Sequence, residues 1–512
     1  MTSTDSSQPT VDATDDPRVS RRPSANRYLA GNYAPVDVEH TAVDLEVTGT
    51  IPDYLDGRYL RNGPNPIAAD PATYHWFLGS GMVHGLRLSG GAAQWYRNRW
   101  VRSGDICRAL GEDAVGTPGG PGLDFGANTN IIGHAGRTFA LVEAGARCYE
   151  LTDELDTLGA IDFGGGLAGG YTAHPKLDPA TGELHAVSYN PFRGNRIRYT
   201  VTATDGSIRR SVEIPMASNP MMHDFSLTEN HIIIYDLPVV FDLQTTGGPK
   251  SLMRAATRMT GVGLPRRAIG AATRMMRHLP ITKMGMPYRW DPQHQARLGV
   301  LGREADPATI RWFDIDPCFI YHPMNAYEEP AAATSRPTDH RPVRIVLDVA
   351  RHSHAFRDVP DPVQTVPALE RFVIELGTGT VTQTRLDDRG QEFPRVDERL
   401  IGRRHRFGYT VGFSGTNPAT DEPEALIKHD MVQQSAITRS FGPGREPSEF
   451  VFVPASANAA EDDGVAMGFV YDKASDTSDL VLLDAQTLDT VATVGLPGRV
   501  PNGFHGNWIA DC

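Results

Sequence analysis

Short runs of β-branched and aromatic residues recur along this chain, separated by Gly, Pro, Asn and Asp: "TFALVEAG", "ELHAVSY", "HIIIYDLPVVFDL", "RFVIELGTGTVTQTRL", "FVFVP" and "DLVLLDAQTLDTVATV". Runs of this length with turn residues between them predict strands, and in "TVTATDGSIRR" the pair Asp205-Gly206 predicts a hairpin. The pattern continues from about residue 45 to the end with no composition change that would mark a linker. A sandwich of ordinary size leaves too much of the 512-residue chain over. A closed ring of four-stranded blades accommodates it at roughly 40 to 50 residues per blade, so the expected fold class is all-β, a β-propeller. No blade signature repeats; the expectation rests on length and pattern.

One region departs from that pattern. Residues 243–290 contain no Asp or Glu, yet they carry nine Lys or Arg and six of the fourteen Met. In a chain of net charge −13 this is a local basic and apolar island. "SLMRAATRM" and "RAIGAATRMMRHL" interleave apolar and basic residues in helix-forming sequence, which suits an anionic membrane surface. Met253, Met259, Leu264, Arg266, Arg267, Arg274, Met275, Met276 and Arg277 are the candidate contacts. The plainer alternative is a helical insertion whose Met residues pack inward and whose Arg residues are solvated.

The remaining bulk properties narrow the class. The acidic balance argues against nucleic-acid binding. Four widely spaced cysteines, Cys107, Cys148, Cys318 and Cys512, form no thiolate metal motif or disulfide scaffold, and fit a reducing cytoplasm. The polar N-terminus lacks the apolar stretch of a signal peptide, and residues 1–34 are expected to be a disordered tail before a single domain over 35–512. No apolar run is long enough to span a membrane, so the expected location is cytoplasmic, with peripheral association at the inner face of the cell membrane. Nothing points to an obligate protein partner. The glycine-rich "GGGLAGG" and "GTPGGPG" do not lead from a strand into a helix and are not phosphate loops.

Among seventeen histidines, four share a context: His174 in "YTAHPKLD", His223 in "NPMMHDF", His322 in "FIYHPMNAYEE" and His505 in "NGFHGNW". Each follows small or apolar residues and precedes Pro, Asp or Gly, as at the inner end of a strand turning out of a sheet. Their separations are 49 (from 174 to 223), 99 and 183 residues. Removing the island of about 48 residues brings the second interval to about 51, close to the first, as expected of one ligand per blade converging on a propeller axis.

"YLRNGPNP", "HWFLGSGMVHG", "MMHDFSLTENHIIIYDLP", "HPMNAYE" and "FHGNW" together resemble the carotenoid cleavage oxygenases, in the family's order, from about residue 35 to the end, with actinobacterial carotenoid dioxygenases the nearest in look. The resemblance implies a seven-bladed β-propeller with one Fe(II) per subunit on its axis, held by His174, His223, His322 and His505, under a helical dome formed partly by residues 243–290. It implies that Glu143, Glu392 and Glu449 accept the other imidazole N–H groups of the ligands. Imidazole suits iron, and four neutral histidines on a six-coordinate ion leave two positions open. They supply no negative charge, so charge and ring orientation have to come from such carboxylates.

The implied activity is oxidative cleavage of a carotenoid or apocarotenoid C=C bond, with an apolar polyene and O2 as substrates. The nearest rival is a stilbene-cleaving oxygenase of the same fold, in which a lysine just before the first of these glutamates activates a phenol; here that position is Val142. A more distant rival is a non-catalytic, lipid-binding propeller. Ser80 stands where the family often has Asp, a departure expected to touch only local packing.

Overall fold

The computed structural model describes residues 26–511 except 117–122, 125, 168, 247–249, 264–284, 331–342, 358–363 and 416–421. Its strands form seven antiparallel sheets arranged as the blades of a propeller, together with a small two-stranded ribbon. Blade 1 comprises Gly57–Pro64, Gly81–Ser89 and Ala92–Trp100, edged by Thr41–Ala42. Blade 2 runs from Asn130–His134 to Thr157–Ala160, blade 3 from Lys176–Leu177 to Ile208–Pro215, and blade 4 from Phe225–Leu227 to Arg311–Asp314. Blade 5 runs from Phe319–Pro330 to Thr380–Asp387, blade 6 from Gln391–Arg395 to Ser435–Ser440, and blade 7 from Arg445–Pro447 to Thr490–Gly495.

Closure uses both ends of the chain. The last strand, Gly506–Ala510, pairs antiparallel with Gly57–Pro64 of blade 1, and Val47–Gly49 pairs with the outer strand of blade 7. Joining the two ends within shared blades ties the first and last blades together and closes the ring. Glycine permits this closure, because a Cβ on Gly503 would lie 2.9 Å from the carbonyl oxygen of Asn62 and one on Gly63 would lie 2.7 Å from the Cα of Gly503.

The blades pack face to face through apolar side chains. Tyr199 and Ile214 of blade 3, Ile232 and Leu298 of blade 4, and Leu347 and Phe372 of blade 5 belong to one continuous buried core. Tyr59 and Leu86 of blade 1 meet Met467 and Leu482 of blade 7 in another. Outer strands such as Ser435–Ser440 are largely exposed, so the hydrophobic pattern fades from the inside of each blade outward.

The basic island is an insertion between the second and third strands of blade 4, which explains the long interval between His223 and His322. Its described parts are a turn at Leu243–Thr246, a helix at Lys250–Val262, and Tyr288–Trp290, which pairs with Val239–Phe241 as the small ribbon. Met253 is half-buried beside Thr246, whereas Met259 is exposed. Leu264, Arg266, Arg267, Arg274, Met275, Met276 and Arg277 lie outside the described residues.

Of the expected N-terminal tail, residues 1–25 lie outside the described part. Residues 26–34 are not tail: they form two 3-10 turns, Arg27–Leu29 and Gly31–Tyr33. Tyr28 is buried there against His75 and Trp76, aromatic packing that the polar sequence upstream gave no reason to expect.

Candidate metal centre

The four singled-out histidines meet on the propeller axis. His174 and His223 immediately precede the innermost strands of blades 3 and 4, and His505 precedes the closing strand in blade 1. His322 lies within the first strand of blade 5, where the ladder slips register between Ile320 and Pro323. Such a bulge re-aims a side chain out of the pleat. His505 is tied down on both sides, its N–H donating to the carbonyl of Thr129 and its carbonyl accepting from Asn62 N–H, both at 3.0 Å. That is what holds a histidine seven residues from the C-terminus.

Nε2 of His322 lies 3.1 Å from Nε2 of His505 and 3.4 Å from Nε2 of His223. The donor atoms of His174, His322 and His505 all lie within 4.8 Å of one another, and the His174 and His223 rings are 4.5 Å apart. All four side chains are buried or nearly so.

Each of the three glutamates takes one histidine. Glu143 Oε1 is 2.9 Å from Nδ1 of His223, Glu392 Oε2 is 2.7 Å from Nδ1 of His322, and Glu449 Oε1 is 3.0 Å from Nδ1 of His505. With Nδ1–H donated to a carboxylate, the neutral imidazole carries its lone pair on Nε2, turned inward. Lone pairs facing one another at such distances repel, and Nε2 of His174 is buried without a hydrogen-bond partner. This donor set suits a cation of imidazole-binding character in the middle. Every blade contributes one residue: the histidines come from blades 1, 3, 4 and 5, and the glutamates from blades 2, 6 and 7.

Electrostatics follow from burial and these pairs. Desolvation, followed by the neighbouring histidines, drives His174 well below the usual imidazole value, and desolvation also lowers His322 against the pull of Glu392. For His223 desolvation is outweighed by the Glu143 carboxylate, and its value rises. Burial works against ionised Glu449, but Arg395 and His505 overcome it and hold the carboxyl down at about 2. Glu392 is likewise held low by His322 and His352 despite its burial.

Several participants escaped the sequence reading. His174 has no glutamate; its Nδ1 faces Asp224 at 3.7 Å, and Lys176 lies 2.9 Å from that carboxylate. His352 reaches Glu392 from the side opposite His322. Arg395 donates to Asn507, Asn507 to Asn130, and Asn130 to the carbonyl of Ala173 beside His174, a relay that crosses four blades. Adjacency in "MMHDF" and "HPK" was the available signal for Asp224 and Lys176; Arg395 and His352 had none. His185 and His429 pair instead with Tyr199 and Gln391, away from the cluster. The hydroxyl of Ser80 donates to Asp105, so a carboxylate is supplied there by the neighbouring helix Gly104–Leu110.

Two cavities reach the histidines. One, of about 400 Å³, is mainly apolar and is lined by Trp76, Phe77, Val142, Tyr321, Phe393 and Phe504 among others, with Leu243, Met286 and Tyr288 of the blade 4 insertion in its wall. It touches His223, His322 and His505. The other, of about 810 Å³, is lined about equally by polar and apolar atoms, which makes it the more polar of the two, and it touches His174, His322 and His505. Along the closing segment, residues 502–505 line the apolar cavity and residues 505 and 507–511 the polar one, so the two approach the cluster from opposite sides.

Fold and site together define a seven-bladed propeller whose axis carries four histidines and three glutamates at the end of an apolar cavity. The family described as RPE65, retinal pigment epithelial membrane protein, matches residues 33–510. A carotenoid cleavage oxygenase of Mycobacterium tuberculosis is 50% identical over 95% of this chain and 98% of its own, and a carotenoid 9,10(9',10')-cleavage dioxygenase 1 of Phaseolus vulgaris is 31% identical over 95% of this chain and 90% of its own. The chain therefore belongs to the RPE65/carotenoid oxygenase family, and it is an oxidoreductase of the dioxygenase type. Among solved structures, Pseudomonas brassicacearum lignostilbene dioxygenase is 25% identical with a TM-score of 0.78, over 96% of this chain and 100% of the other. Cobalt-substituted Synechocystis ACO, at 24% identity and a TM-score of 0.73 over 94% and 98%, shares the fold.

Proposed function

We propose that the protein is an Fe(II)-dependent dioxygenase that cleaves one conjugated C=C bond of a carotenoid or apocarotenoid into two carbonyl products. The observation that carries this is the convergence of four histidines, three of which are oriented by glutamates and reach the end of an apolar cavity. Names of the family relatives support the substrate class. One Fe(II) would be held by His174, His223, His322 and His505, supplying the oxygen chemistry that splits the double bond.

The chain's own residues do the rest. Glu143, Glu392 and Glu449 keep the imidazole protons on Nδ1 and offset positive charge that the neutral histidines cannot. Trp76, Phe77, Phe393 and Phe504 present flat apolar walls to a rigid polyene, excluding water and selecting which bond lies beside the histidines. Val142, next to Glu143 in the cavity wall, offers no ammonium to a phenol, which favours a polyene over a hydroxystilbene despite the likeness to lignostilbene dioxygenase. The test is incubation of Fe(II)-reconstituted protein with carotenoids, apocarotenoids and stilbenes under 18O2. Labelled aldehyde or ketone pairs from a polyene are expected; absence of cleavage across the panel, or full turnover by metal-free protein, rejects the reading.

A substrate of this kind resides in lipid, and we propose peripheral docking at the inner face of the cell membrane as the way it is collected. Support comes from helix Lys250–Val262, where Met259 is 58% and Val262 82% exposed beside Lys250, Arg254 and Arg258. Among the described residues no helix is long and apolar enough to cross a membrane. Each basic residue near an anionic surface contributes on the order of 1 kcal/mol, screened over about 10 Å at 0.1 M salt. Changing Arg266, Arg267, Arg274 and Arg277 to Gln should weaken anionic-liposome binding and spare detergent-dispersed substrate. Equal liposome binding by both proteins at low and high salt removes the electrostatic part.

A further inference from the structure

The metal proposed above has to reach a site that is closed on one side by aromatic rings. A divalent cation moves with its hydration shell, and stripping that shell against apolar walls is heavily unfavourable. The apolar cavity that opens on His223 is therefore a poor route for it.

The second cavity differs in carrying charged side chains along its length, set among apolar ones such as Leu184 and Ile509. Four of its five carboxylates, Glu398 being the fifth, descend from surface to centre: the side chain of Asp153 is 74% exposed, Asp511 23%, Asp224 2% and Glu449 1%. Each is paired with a basic side chain, Asp153 with Arg58, Asp511 with Arg87, Asp224 with Lys176, and Glu449 with Arg395. Such a lining keeps water and offers oxygen ligands without the unpaired charge that would trap a cation on the way. At its inner end lies His174, 4% exposed, the one histidine of the four that faces only this cavity, with its Nε2 unpartnered. The substrate side and the polar side thus meet at the histidines and share only His322, His505 and Glu449.

We propose that the polar axial channel is the loading route for the metal, a hydrated divalent cation entering past Asp153 and Asp511 and reaching His174 first, so that metal exchange and substrate binding use separate openings. This rests on the metal-centre reading, and the experiment separates the two. Leu177, 39% exposed, and Ala510, also exposed, line the channel near its outer end, while Cys107, Cys148 and Cys318 are buried. In a Cys512→Ser background, Leu177→Cys and Ala510→Cys would be labelled with a bulky maleimide on the folded, metal-free protein. Co(II) uptake would then be followed by visible absorption in stopped flow.

Labelling should slow uptake by about tenfold or more without changing the equilibrium Co(II) affinity, since neither residue belongs to the ligand set. Filling the apolar cavity with a long-chain alkyl detergent should leave uptake unchanged. A labelled protein that loads at the unlabelled rate overturns the route, as does a detergent block with no effect of labelling. Failure of the unlabelled, wild-type protein to bind Co(II) at all would instead remove the metal centre itself.

Discussion

Replacing Glu449 by Gln tests how the histidine centre is held together. Glu449 Oε1 accepts from His505 Nδ1 at 3.0 Å and lies 3.4 Å from Arg395, while Oε2 accepts from Gly506 N–H at 2.9 Å. Both oxygens are therefore committed to donors. A glutamine has one acceptor and one donor group in the same space. If its oxygen faces His505, its NH2 opposes Gly506 N–H; if the oxygen faces Gly506, the NH2 opposes Nδ1–H and pushes the proton to Nε2, the atom that would bind the proposed metal. Losing a charge-assisted bond costs about 1.5–3 kcal/mol, and leaving a buried donor unmet adds about 1–3 kcal/mol. Glu449→Gln should accordingly fall at or beyond the upper end of the roughly 10- to 100-fold loss of metal affinity usual for such partners.

The same substitution at the other two positions should be milder. Glu143 Oε2 has no hydrogen-bond partner, so an amide NH2 meets no donor there. Glu392 Oε1 faces Nε2 of His352, whose Nδ1 lies 3.0 Å from the Thr365 carbonyl. A glutamine oxygen in the Oε2 position keeps the bonds from His322 Nδ1 and Phe393 N–H, so only the contact with His352 changes. The assay is Co(II) or Fe(II) titration against a competing chelator, with circular dichroism to check the fold. Wild-type affinity for Glu449→Gln, or a larger loss for Glu143→Gln than for Glu449→Gln, would refute the reasoning.

Three further outcomes are expected. Alanine at His174, His223, His322 or His505 should remove most bound metal and activity with the β fold retained, while alanine at His185 or His429 leaves metal content near wild type by atomic absorption; a variant of the four that keeps stoichiometric iron is not missing a ligand. Desolvation pushes His185, His405 and His429 down to about 4, so above about pH 6.5 neither folded nor unfolded chain is protonated there, and as pH falls from about 6.5 to 4 only the unfolded chain gains the proton. Each then withdraws about 1.4 kcal/mol per pH unit, up to about 3 kcal/mol, and urea midpoints should drop from pH 7 to pH 5, with a shallower drop for His429→Gln; a flat profile in both proteins contradicts this. Val142→Lys should raise turnover of a 4-hydroxystilbene relative to an apocarotenoid, and an unchanged ratio by product chromatography would separate Val142 from substrate choice.

The local pattern of the chain was enough to establish strands and turns, and chain length added the propeller, because a strand half-buried between sheets needs short apolar runs cut by Gly, Pro, Asn and Asp whatever its partners are. The spacing of His174, His223 and His322 was legible for the same reason: it is one blade each once the insertion is removed. Resemblance, not pattern, distinguished Glu143, Glu392 and Glu449 from the many solvated carboxylates, since a buried glutamate looks like an exposed one until its partner is known. What only the tertiary structure decided are relations between blades. His174 is steadied by Asp224 and Lys176, Arg395 reaches Glu449 and Asn507 across blade boundaries, and His352 shares Glu392. These contacts join residues separated by tens to hundreds of positions, and no local period carries them. The division of the axis into an apolar and a polar approach is of the same kind, because a cavity is defined by side chains from all around the ring and by no single stretch of sequence.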